Sequence, residues 1–140
     1  MLDPDLRSLL ALDVPAHLAT LDDDGYPRIT PLWFVWEDGA FYMTSVEGKR
    51  HLRNLERDAR ASICVDRQDR MSAAGARRNR QAKAKGRAEL RPDQDGYWTT
   101  KITTKYVSGA EGEALAQRRA SMPRVVIILR AAPVSASPPT

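Results

Sequence analysis

Residues 27–45, PRITPLWFVWEDGAFYMTS, decide the architecture. From position 27 to 36 the chain is β-branched and aromatic, the composition of a strand. Glu37-Asp38-Gly39 then supplies turn chemistry, and residues 40–45 return as a further strand. Pro31 has no N–H to give a ladder, so it demands a bulge or a free edge in the first of these strands. Upstream, residues 17–22 alternate, and Asp22-Asp23-Asp24-Gly25 offers a turn with glycine where a positive φ is needed. Residues 17–45 therefore read as a three-stranded antiparallel meander.

Around this meander the periodicity changes repeatedly. Asp3 and Pro4 are the N-cap and first residue of a short helix over 3–12, with Leu6, Leu9 and Leu10 at helical spacing. Residues 48–58 read as a helix that buries Leu52 and Leu55, and 60–66 as a strand with Ala61, Ile63 and Val65 on one side. Residues 68–78 show no apolar period and read as a mobile loop, whereas 81–91 alternate as a half-buried strand. A helix over 95–107 places Trp98, Ile102 and Tyr106 on one face; a second runs from Gly109 to about Ser121. Residues 124–131 form a buried strand, and the Pro/Ser/Ala tail at 134–140 reads as disordered. Residues 1–133 thus make one domain, mainly β within the α+β class: a small antiparallel barrel of five or six strands with peripheral helices.

Composition excludes several functions. One cysteine, Cys64, rules out an internal disulfide and multi-cysteine zinc sites, and two histidines, His17 and His51, leave little for a metal centre. Cys64 lies within a strand and reads as packing; His17 reads as structural or solvent-facing. The sequence has no Walker A loop, no G-x-G-x-x-G, no H-E-x-x-H and no G-x-S-x-G. No stretch approaches the ~20 apolar residues of a membrane span, and the first fifteen residues lack the basic and apolar regions of a signal peptide. The expectation is a cytoplasmic chain whose difficult chemistry belongs to an organic cofactor.

The net charge of +4 is unevenly spread: residues 67–87 carry eight basic side chains against the single acid Asp69. Such a segment suits an anionic partner or, more plainly, a solvated strand edge guarded by Lys and Arg. It contains no aromatic residue to stack on bases, which argues against single-stranded nucleic acid.

The stretch TSVEGKRHLRN, residues 44–54, carries the clearest chemistry. Thr44 and Ser45 end a strand, a glycine loop follows, and Lys49 and Arg50 open a helix. Basic residues oppose the helix dipole there. A phosphate at the helix start explains them; the alternative is an ordinary helix start with solvated cations.

Taken in order, AHLATLDDDGYPRITPLWFVWEDGAFYMTS, GKRHLRNLERDARASICVD and KAKGRAEL resemble the pyridoxamine 5′-phosphate oxidase-like split β-barrel family, in particular its branch using the deazaflavin coenzyme F420. The resemblance spans roughly residues 14–131 and implies a homodimer of six-stranded split barrels with a flavin-type cofactor in each interface cleft. By position, Ile29, Thr30, Pro31, Leu32 and Trp33 would flank the ring, while Thr44, Ser45, Lys49, Arg50 and Asn54 would hold the phosphate arm. Many relatives carry lysine where this chain has His51. We place Arg78 and Arg80 on an anionic group of the cofactor, reached across the dimer. Trp98, Lys101 and Tyr106 either roof the pocket or staple their helix to the barrel. The function so implied is hydride transfer between reduced F420 and a small conjugated or carbonyl substrate. FMN is the alternative cofactor, and a non-enzymatic flavin or haem carrier the alternative role.

Overall fold

In the computed structural model, which describes residues 2–135, Asp3 caps the first helix, α1 (Pro4–Leu10), by accepting from the Asp5 amide at 2.7 Å. Its Leu6, Leu9 and Leu10 enter the core, as their spacing requires. The strands β1 (Ala16–Leu21) and β2 (Pro27–Leu32) pair antiparallel across the Asp22–Gly25 turn, where Gly25 has φ +86°. The expected long strand over 27–36 then stops. Trp33 and Phe34 leave the ladder, and β3 (Val35–Glu37) pairs with β4 (Ala40–Val46) in a different sheet. The meander is therefore divided between two sheets.

The reason lies far along the chain. The Phe34 amide donates to Tyr106 Oη at 3.1 Å, and its carbonyl accepts from Lys105 Nζ at 3.0 Å. A helix thus supplies the partners that a neighbouring strand would have given to a fully buried residue. That helix, α3 (Tyr97–Tyr106), packs against α4 (Gly109–Ala120). Trp98 stacks on Tyr42, centroids 3.7 Å apart, and Tyr106 stacks on Trp33 at 4.6 Å; Lys101 pairs with Glu37. These residues staple α3 to the sheets.

Downstream, α2 (Arg50–Arg57) buries Leu52 and Leu55 as expected, together with His51 and Asn54. β5 (Arg60–Arg70) and β6 (Arg77–Arg87) are longer than the sequence suggests. The two ends of the segment expected as a mobile loop at 68–78 are strand, paired in register from Arg60↔Arg87 to Arg70↔Arg77, and only residues 71–76 lie outside the ladder. The expected strand over 81–91 breaks at Ala88, whose amide donates to the Ala59 carbonyl, and continues as β7 (Glu89–Pro92) in the other sheet. β8 (Arg124–Leu129) lies between β4 and β7. Val134 and Ser135 form β9 against β6, which replaces the disorder expected there; the tail beyond them lies outside the described residues.

The described strands number nine, not six, and form two antiparallel sheets, β2-β1-β5-β6-β9 and β3-β4-β8-β7, without closing into a barrel. The main core lies between them, with Leu18, Ile63 and Val65 from one sheet meeting Phe41, Met43, Ile127 and Leu129 from the other. β4 is buried on both faces because Trp98 covers Tyr42, Val126 and Ile128. β2 is an edge strand, which satisfies Pro31. The outer face of the larger sheet stays open, leaving Ile29 68% and Val134 65% exposed.

Candidate anion and cofactor cleft

Alternation along β2 turns Arg28, Thr30 and Leu32 toward a cleft and leaves Pro31 on the opposite, exposed side. The cleft has a volume of about 580 Å³, ample for a cofactor-sized ligand. It is closed by Trp33, by Thr44, Ser45 and Val46 at the end of β4, by Lys49, Arg50 and His51 at the start of α2, and by Arg119 and Arg124. A hollow of about 560 Å³ on the open sheet face is lined mainly by apolar side chains with Lys83 and Lys85, and offers no comparable convergence of donors.

Five cationic side chains from four elements line the cleft and, among the described residues, no carboxylate does. Arg28 is held at 2.9 Å by Asp22. Asp22 also accepts from Asn54 at 2.8 Å, and these two hydrogen bonds hold its carboxyl below the usual range. Arg124 donates to Thr44 Oγ1 and to the Thr44 carbonyl; Arg119 donates to Thr103 Oγ1 and sits 4.9 Å from the Trp33 ring centroid. Among the described residues, neither Arg119 nor Arg124 has a carboxylate within 4.0 Å. Burial lowers the pKa of both, and for Arg124 the like charge of Arg119 adds to it. His51 is 7% exposed, with Nε2 2.7 Å from Ser45 Oγ. Its pKa is depressed by burial first, then by Lys49 and Arg28. Arg119 and Arg124, half-buried without an acid partner, are unfavourable alone and are relieved by an anion.

The structure brings together Thr30, Leu32, Trp33, Thr44, Ser45, Lys49, Arg50 and His51, as the sequence suggested. It separates five others. Ile29 shares the exposed side with Pro31, and Asn54 stands behind the cleft, where it donates to Thr20 and Asp22; it positions the carboxylate that positions Arg28. Arg78 pairs with Asp5 at 2.8 Å, and Arg80 with Asp69 at 3.0 Å, so both are engaged on the β5–β6 arm. Sequence reasoning missed Arg28, Arg119 and Arg124. The two-residue period from Thr30 back to Arg28 was a usable signal; the arginines after position 110 gave none without the β4–β8 register.

A sequence model of the pyridoxamine 5′-phosphate oxidase family matches residues 2–137. Among solved structures, the chain is similar to an F420 reductase at 23% identity and TM-score 0.67, covering 93% of this chain and 94% of that one. It is similar to a conserved hypothetical protein from Mycobacterium tuberculosis at 21% identity and TM-score 0.76, covering 96% and 84% of the two chains. It is also similar to a FAD and haem binding protein from Mycobacterium smegmatis at 20% identity and TM-score 0.69, again covering 96% and 84%. At these identities the likeness is one of fold. No curated protein matches the sequence.

Proposed function

The chain belongs to the pyridoxamine 5′-phosphate oxidase family, and from that premise we propose that it is an oxidoreductase holding coenzyme F420 in the cationic cleft and moving a hydride to or from a small conjugated or carbonyl substrate. The observation that carries this reading is the cleft lining: five cations and no acid at one end, beside the Trp33 indole and Leu32. Arg119 and Arg124, half-buried and without acid partners, fit an anionic arm, and the apolar wall fits a flat ring.

When bound, the deazaflavin supplies the carbon that carries the hydride, a capacity that side chains lack. The chain's own work is to bind and orient. Lys49, Arg50 and Arg28 neutralise the anionic arm, Thr44 and Ser45 border it with hydroxyls, and Trp33, fixed by its stack on Tyr106, sets the ring wall. FMN shares the phosphate and is the competing ligand.

A second copy of the chain is part of the proposal. The apolar run 32–36 is largely consumed within the chain: Phe34 is fully buried and Trp36 packs on the core. The case for a partner rests instead on the open sheet face bearing Ile29 and Val134. Sedimentation at micromolar concentration should give a dimer.

Fluorescence titrations with F420 and FMN test the cofactor, and oxidation of reduced F420 by an α,β-unsaturated acceptor tests the reaction. Tighter binding of FMN would replace the cofactor assignment. Tight F420 binding without turnover of any acceptor would reassign the protein as a carrier.

A further inference from the structure

We propose that His51 couples a proton to ligand binding: it is neutral while the cleft is open and takes up a proton from solvent when an anion is seated there. This inference rests on reading the cleft as an anion site.

The charged side chains that share the cleft with His51 are all positive. Its own helix contributes Lys49 and Arg50, β2 contributes Arg28, and Arg119 and Arg124 complete the lining from α4 and β8. β4 contributes only the hydroxyls of Thr44 and Ser45, and Asn54 on α2 is neutral. Asp22, the carboxylate beside Arg28, is engaged by Arg28 and Asn54. Protonating a buried imidazole here would place a further positive charge beside Lys49 and Arg28, so the open cleft favours the neutral ring. That agrees with the depression of its pKa by burial, Lys49 and Arg28.

An anion against the same cations reverses that balance. It cancels the field that opposes the imidazolium and supplies a negative neighbour that favours it. Ser45 makes the change possible without rearrangement. Its hydroxyl, 2.7 Å from Nε2, can donate to an unprotonated nitrogen or accept from a protonated one by rotating a single hydrogen. Lysine at this place would keep its charge at neutral pH; histidine ties affinity to pH across the neutral range.

The chain's two histidines make the test direct, because His17→Gln assigns the imidazole resonances by NMR. In the free protein His51 should titrate below the ordinary histidine midpoint. Saturating F420, whose phosphodiester does not titrate near neutrality, should raise that midpoint by about one unit or more, with F420 affinity falling about threefold or more between pH 6 and pH 8. His51→Gln should abolish that pH dependence. An unmoved His51 midpoint in the F420 complex, or an equal pH dependence in folded His51→Gln protein, overturns the proposal while leaving the cofactor reading intact. Failure of both F420 and FMN to bind removes the cofactor reading. Sulfate, a dianion throughout this range, then decides: a raised His51 midpoint supports proton coupling, and an unmoved one overturns it.

Discussion

Replacing Tyr106 by Phe removes one oxygen and leaves the ring. That oxygen accepts from the Phe34 amide at 3.1 Å and donates to the Val14 carbonyl at 2.8 Å. Phe34 is fully buried, so its amide loses its partner with no route to water. An unsatisfied buried donor costs about 1–3 kcal/mol. Val14 is only partly buried, and its carbonyl recovers water at about 0.5–1.5 kcal/mol for the lost bond. The aromatic stack on Trp33 survives, so together the loss should be about 2–4 kcal/mol. Urea unfolding at fixed protein concentration is the assay, since a dimer makes the midpoint concentration-dependent. The midpoint should fall with the m-value unchanged. A loss below about 0.5 kcal/mol would show that the phenol does not hold the crossing between the sheets, and the account of why β2 ends at Leu32 would fail.

Three further outcomes are expected. Arg119→Ala or Arg124→Ala should weaken F420 binding at least tenfold by fluorescence titration, consistent with about 1.5–3 kcal/mol per charged hydrogen bond, whereas Arg78→Ala with Arg80→Ala should change it less than twofold; a tenfold loss in the double variant would place the β5–β6 arm on the ligand. Lys105 is pushed down to about 8 by burial, so the folded state binds fewer protons than the unfolded one between pH 8 and 10; stability should rise with pH across that window, by about 1–2 kcal/mol after allowance for partial exposure, and the rise should be absent from Lys105→Met unfolded alongside. Gly112→Ala would set a Cβ 1.8 Å from the Val107 carbonyl oxygen, so the start of α4 must shift at a cost of about 2 kcal/mol or more, visible as a lower urea midpoint.

What the sequence shows clearly is what neighbours in sequence decide. Asp3 and Pro4 start α1, Asp22–Gly25 turns β1 into β2, and Leu52 with Leu55 defines the inner face of α2. The end of β2 is invisible because the groups that receive Phe34 lie about 70 residues away on α3. The β5–β6 arm is invisible for a different reason. Both of its faces meet solvent from Arg67 outward, so no apolar stripe marks it, and its pairing rests on the backbone ladder with cross-strand contacts such as Gln68–Asn79 and Asp69–Arg80. The cleft divides the same way. Thr44–His51 is a contiguous motif, whereas Arg119 and Arg124 arrive through tertiary packing.

The concentration of arginine and lysine in one walled recess has a consequence for rates. Field lines from five like charges converge through the mouth of the cleft, so an approaching anion is guided before it touches the protein. Such guidance raises association rate constants by about 10–10³ and fades as ionic strength rises. Chloride in the buffer would compete for the same recess. Capture of a scarce polyanionic cofactor should therefore be fast in dilute salt and slow in concentrated salt, while the departure of the bound cofactor changes far less.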